Sequence, residues 1–129
     1  MKRDTEFDIV LWGATGFTGQ LVAEHLENDS YEVRSATSGA TGLELIDREQ
    51  PDLVLLDWML PDNSGIDLLH RIRKYHSALP VIMITAKSEE EDRILGLDVG
   101  ADDYITKPFS VRELKSRIIA VLRRTMPAE

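Results

Sequence analysis

The chain has no cysteine among its 129 residues. Disulfides, thiolate metal sites and thiol nucleophiles are therefore excluded, which suits a reducing cytosol. Long apolar runs are missing too. Met1 to Asp8 is polar, and the first strongly apolar run, Ile9 to Trp12, is short. It cannot form a signal-peptide core or a membrane span, so a soluble, cytoplasmic protein with no membrane partner is expected. Positive charge is scarce: 15 Lys and Arg stand against 23 Asp and Glu, a net charge of −8. Phosphate backbones need a basic face, so no direct nucleic-acid partner is expected. The histidines, His25, His70 and His76, show no metal-ligand spacing and are expected on helix surfaces.

What is present suffices for one core. Hydrophobic residues make up 43% of the chain, and its length fits a single domain over residues 1–129. Short solid apolar runs occur at Ile9–Trp12, Leu53–Leu56 and Val81–Ile84, with weaker ones at Tyr31–Ala36 and Tyr104–Ile105. Such runs suit strands buried on both faces of a parallel sheet. Helical spacing lies between them. Val111, Leu114, Ile118, Val121 and Leu122 form an apolar stripe. Ile66, Leu69 and Ile72 mark another helix, Leu21, Val22 and Leu26 a first, and Leu43 to Ile46 a second. Ser88 with Glu91, and Ser110 with Glu113, read as capping boxes. The order is β-α repeated five times, which predicts a parallel sheet with helices on both faces. In such folds the chemistry sits beyond the carboxyl ends of the strands.

Three residues there combine into a site. Asp57 follows Leu53–Leu56, Thr85 follows Val81–Ile84, and Lys107 follows Asp103–Thr106. A carboxylate can accept a phosphoryl group, and a hydroxyl and an ammonium can hold its oxygens. Taken alone, Asp57 would be a strand-end carboxylate capping the next turn. The three together favour chemistry.

The surrounding wording is specific. Residues 51–61 read PDLVLLDWMLP, then come Gly65, Ile84-Thr85-Ala86-Lys87, and GADDYITKPF over residues 100–109. From about residue 27 to 129 the chain resembles the receiver domain of response regulators, nearest the winged-helix transcription-factor (OmpR/PhoB-like) subfamily. The resemblance implies a flavodoxin-like (CheY-like) three-layer α/β/α sandwich with five parallel strands in the order 2-1-3-4-5. It implies that Asp57 accepts phosphate from a histidine kinase, that Thr85 and Tyr104 are a switch pair, and that Lys107 contacts the phosphoryl group before a cis bond to Pro108. It further implies Mg2+, with Asp57 and the main-chain carbonyl of Met59 as ligands. Arg93, Asp102, Asp103, Glu113 and Arg117 lie where that subfamily forms a homodimer through a helix–strand–helix face (α4-β5-α5 in the family's naming). A solvated helix surface explains these charges equally well.

The front of the chain departs from this pattern. A receiver carries an acidic pair after its first strand, as a hard divalent cation requires. Here Gly13 and Ala14 stand there, and no carboxylate occurs between Asp8 and Glu24. Residues 13–19 instead read GATGFTG, a glycine loop of the kind that approaches a pyrophosphate. Residues 6–26 resemble the β-α opening of a Rossmann NAD(P) reductase of the saccharopine-dehydrogenase-like group. Gly13, Gly16 and Gly19 are thus a candidate anion or nucleotide loop. No acidic residue follows the second strand to hold a ribose, Arg34 is best read as an exposed strand charge, and Asp57 would repel a pyrophosphate. NAD(P) binding and hydride transfer are not expected, and a tight turn with close helix packing explains the glycines better. The two resemblances together read as an engineered chimera joined near residues 23–28, with Mg2+ binding and phosphorylation weakened and no enzymatic activity. A functional receiver and a weak NAD(P)-binding module are the alternatives. Trp12 and Trp58 flank the rim as packing residues.

Overall fold

A computed structural model of the chain describes residues 7–12, 16–29, 31–57, 65–85, 94 and 99–125. Its strands are β1 (Phe7–Trp12), β2 (Tyr31–Ala36), β3 (Leu53–Asp57), β4 (Val81–Thr85) and β5 (Asp103–Thr106). Its helices are α1 (Gly16–Asn28), α2 (Gly39–Glu49), α3 (Gly65–Tyr75) and α4 (Val111–Thr125). The sheet is parallel, in the order β2-β1-β3-β4-β5. The expected flavodoxin-like α/β architecture is thus present. The helix expected from the Ser88 cap falls mostly outside the described residues.

The solid apolar runs divide by alternation, since successive strand side chains point to opposite faces. Val10, Val54, Leu56, Val81 and Met83 join Ile46, Leu68, Leu69 and Ile72 in one layer, against α2 and α3. Ile9, Leu11, Leu53, Leu55, Ile82 and Ile84 join Val22, Leu26, Leu114, Ile118 and Leu122 in the other, against α1 and α4. Each run must be apolar throughout because both faces are covered. β1 is fully integrated. It pairs with β2 from Phe7 to Trp12 and with β3 from Ile9 to Trp12. At its start the Asp8 N–H donates to Asp52 Oδ2 at 2.8 Å, and the Asp52 N–H donates to the Asp8 carbonyl at 2.8 Å.

The helix ends follow local chemistry. Ser38 caps α2: its side chain accepts from the Thr41 N–H while the Thr41 hydroxyl accepts from the Ser38 N–H. Of the capping box expected at α4 only the Ser110 half forms: the Glu113 N–H donates to Ser110 Oγ at 3.0 Å, while the Glu113 carboxylate turns to Arg117. Strands β3 and β4 run one residue further than their apolar runs, so Asp57 and Thr85 are the last strand residues rather than the first loop residues. The ladder hydrogen bonds outlast the hydrophobic pattern there.

Candidate functional site

Register brings the three chemical side chains together. Asp57 sits opposite Ile84 on β4, and Thr85 opposite Thr106 on β5. The Lys107 N–H donates to the Thr85 carbonyl at 2.7 Å, which fixes the chain just beyond β5 against the end of β4. From there Lys107 Nζ reaches across β4 to Asp57 Oδ2 at 2.7 Å. Asp57 is 4% exposed and Thr85 fully buried, whereas the Lys107 side chain is 40% exposed. A carboxylate so enclosed needs a charged or hydrogen-bonding partner, and the charge-assisted bond from Lys107 is of the strong class. The Lys107–Pro108 peptide is cis, as the resemblance implies. One buried carboxylate, one buried hydroxyl and one ammonium open to solvent thus share the rim.

Other expected residues fall out as follows. Tyr104 is buried in the layer facing α2 and α3, one register step before Ile105 opposite Ile84. Gly16 opens α1 and Gly19 lies in its first turn. Gly13, Ala14, Met59, Trp58, Arg93 and the Ser88 cap lie outside the described residues. Arg34 is an ion-pair member on the edge strand, bound to Glu32 and Glu49. His76 Nε2 contacts Asp47 Oδ1 at 2.8 Å, bordering a hollow of about 670 Å³ between α2 and α3 that also touches Leu43, Arg71, Lys74 and Tyr75. The last turn of α3 leads into β4, so this hollow lies at the opposite end of the sheet from Asp57.

Of the charges expected on a homodimer face, the described ones, Asp102, Asp103, Glu113 and Arg117, are paired within the chain. Arg117 holds Asp103 at 3.1 Å and Glu113 at 3.2 Å. Burial works against the Arg117 charge, but Asp103 and then Glu113 outweigh it and raise its pKa. Asp102 binds Arg73 at 3.0 Å. Arg73 is the residue that pattern reading missed. Its guanidinium also donates to the carbonyls of Gly100 at 2.7 Å and Leu79 at 2.6 Å. Burial lowers its pKa, partly offset by Asp102. Gly100 has φ +124°, and a Cβ there would stand 2.9 Å from Arg73 Nε. A basic residue in the last turn of α3 was the only available signal, and that is ordinary helix chemistry.

The donor set is poor in carboxylates for a hard divalent cation. Of the five strand-closing residues, Trp12, Ala36, Asp57, Thr85 and Thr106, only Asp57 is one. Among the described residues no group of three or more His, Cys, Asp or Glu could hold a metal. Gly13 and Ala14, which follow β1, offer no side-chain donor. The acidic pair that a receiver carries after its first strand is therefore missing from residues 13–15.

The geometry has its counterpart in known proteins. Residues 17–119 match the family model described as the response regulator receiver domain. The chain belongs to that family. It is 50% identical over 112 residues to the phosphate regulon transcriptional regulatory protein PhoB of Pseudomonas aeruginosa, covering 85% of this chain and 49% of that protein. It is 46% identical over 105 residues to the alkaline phosphatase synthesis transcriptional regulatory protein PhoP of Bacillus subtilis, covering 81% and 44%. This receiver therefore spans about half the length of the curated relatives it matches. Among solved structures it resembles the BeF3-activated receiver domain of Klebsiella pneumoniae RstA, with TM-score 0.84 and 34% identity over 90% of this chain and 98% of that one. The receiver domain of Francisella response regulator 1452 gives TM-score 0.87 and 33% identity over 93% and 99%. Receiver domains serve two-component signalling, bind Mg2+ at their phosphorylation site, interact with histidine kinases, and are generally not enzymes. No described helix is long and apolar enough to cross a membrane.

Proposed function

We propose that this chain acts as the phosphoryl-accepting receiver of a two-component transcription regulator, with a histidine kinase as donor and Asp57 as acceptor. The observation that carries this reading is the buried Asp57 carboxylate with Lys107 on one oxygen and Thr85 closing the neighbouring strand. An Asp57 oxygen attacks the donor's phosphorus, the P–N bond of phosphohistidine breaks, and an acyl phosphate forms. Lys107 then holds a phosphoryl oxygen, and Thr85 with Tyr104 repacks as the switch. The family's helix–strand–helix face, with Asp103, Glu113 and Arg117, is the proposed homodimer contact. Without the acidic pair, Asp57 and the Met59 carbonyl are a reduced ligand set, so weaker Mg2+ binding and slower phosphorylation than in a receiver that has the pair belong to this reading. NAD(P) has no part in it, since the second strand supplies no ribose-binding acid.

The test is intact-protein mass after incubation with acetyl phosphate, beside Asp57→Ala. A phosphate adduct that the variant lacks supports the reading. No adduct on a well-folded protein refutes it.

A second reading has its own observation. The family match starts at Phe17, so β1 and Gly13-Ala14-Thr15-Gly16 precede the first matched residue. An engineered graft of a Rossmann β-α opening would account for both the boundary and the glycine wording. It predicts a stable fold without any adduct.

A further inference from the structure

We infer that the hollow between α2 and α3, at the end of the sheet away from Asp57, binds a small aromatic phosphate ester. The inference goes beyond the receiver reading and does not rest on it.

Two helix faces make the hollow. Arg71 and Lys74 stand with Tyr75 at i, i+3 and i+4 on α3, and Leu43 and Asp47 at i and i+4 on α2. Side chains so spaced share one side of a helix. The volume, about 670 Å³, falls in the range of small-molecule sites. Both walls are held in place. His76 Nε2 meets Asp47 Oδ1 at 2.8 Å and joins the end of α3 to α2. Arg73 Nη1 donates to the carbonyls of His76 at 3.3 Å and Leu79 at 2.6 Å, which fixes the chain leaving α3. Leu43 packs against the core layer and gives the lining an apolar patch. A site fixed beforehand loses less freedom when a ligand enters.

Charge selects the ligand. The chain carries a net charge of −8, and Arg34, Arg48, Arg73, Lys115 and Arg117 each hold a carboxylate. Among the described residues no carboxylate pairs with Arg71 or Lys74. Asp47, the one carboxylate of the lining, is engaged by His76. Two such cations side by side match a phosphate monoester, which carries about two negative charges at neutral pH. A guanidinium also meets phosphate oxygens with paired donors. The ring requirement comes from Tyr75, which is 70% exposed, with Lys74 Nζ 5.5 Å from its ring centroid. An aromatic group can stack on that ring while its phosphate reaches the cations. A helix C-terminus favours cations by itself. That accounts for Arg71 and Lys74 but not for the exposed ring or the facing wall of α2.

The experiment is an amide chemical-shift titration of the whole chain with phenyl phosphate, with inorganic phosphate and phenol as separate arms. Phenyl phosphate is expected to give saturable shifts through the millimolar range, confined to residues 43–47 and 71–76. Inorganic phosphate and phenol should each bind at least about fivefold more weakly, because each offers half of the contacts. Arg71→Gln combined with Lys74→Gln should weaken phenyl phosphate about tenfold or more. Tyr75→Ala should reduce its affinity to that of inorganic phosphate. Added NaCl should weaken binding to the unaltered chain, since the cations are exposed.

Shifts confined to the surroundings of Asp57, Thr85 and Lys107 overturn the inference, as does the lack of any saturable shift. Inorganic phosphate binding as tightly as phenyl phosphate overturns it too, because the ring is then not read. So does unchanged affinity in the folded double variant. Should that variant not fold, the salt series on the unaltered chain decides, and salt-insensitive binding overturns the inference. The phosphate-adduct assay on Asp57 is separate, so failure of the proposed function and failure of this inference are told apart.

Discussion

The first and third strand–helix units of this molecule are built alike and end differently. β1 buries Ile9, Val10 and Leu11, and β3 buries Leu53 to Leu56, with alternate residues feeding the same two layers. Both units lie in the same parallel register. Yet β3 ends in Asp57, while β1 is followed by Gly13 and Ala14. A strand is admitted to this sheet by its apolar alternation and its backbone ladder, which any run of branched or aliphatic residues satisfies. The chemistry at its end depends on one or two side chains that the fold does not need. Architecture and activity are therefore separable at this rim.

That comparison can be broken most directly in the core. Leu11→Ala in β1 and Leu55→Ala in β3 remove equally buried side chains from the same layer. Each is expected to cost about 2–5 kcal/mol, and urea unfolding of the two variants should give similar losses. A Leu11→Ala cost well below that of Leu55→Ala would show that β1 is a loosely held addition.

The next effect sits at the opposite end of the sheet. Arg73→Ala leaves the carbonyls of His76, Leu79 and Gly100 and the Asp102 carboxylate without the guanidinium that joins α3 to the starts of β4 and β5. A loss of about 2–3 kcal/mol is expected in the same unfolding assay, with amide exchange at Val81 speeding up. Equal protection in both proteins would show that the hub is dispensable.

Smaller effects sharpen the contrast between local and cross-element contacts. Ser38→Ala removes the cap of α2 and should cost about 1 kcal/mol, seen as a modest drop in melting temperature. Lys115 on α4 meets Asp29 after α1 at 2.8 Å, bridging the first strand–helix unit to the last helix. Both side chains are partly solvated, so Lys115→Ala should cost about 0.5 kcal/mol or less. A larger loss that fades with added salt would show that the first unit is held to the rest electrostatically.

Much of this was legible in advance. The runs at Leu53–Leu56 and Val81–Ile84 gave strands of nearly those bounds, because a strand buried on both faces has no polar positions to blur its edges, and the weaker run at Tyr31–Ala36 gave the edge strand β2 despite its polar positions. The stripe from Val111 to Leu122 gave α4, because one buried face of a helix repeats with its turn. Asp57, Thr85 and Lys107 were legible as a group because each follows an apolar run or a strand, and parallel strands deliver their ends to one side. Illegible were the inward pairing of Asp102, Asp103, Glu113 and Arg117 and the role of Arg73. Charges in sequence carry no mark of which partner lies within reach.

The sequence by itself determined the period of each element, the parallel αβ layering, the carboxylate at the end of β3, and the lack of a carboxylate at residues 13–15. These are properties of single residues and of near neighbours, where side-chain chemistry and backbone geometry act directly. Only the tertiary structure decided that Lys107 closes on Asp57 across an intervening strand, and that Arg73 gathers the loop ends beneath β4 and β5. Such contacts join residues far apart along the chain. They exist only once sheet register and helix packing have set the distances between them.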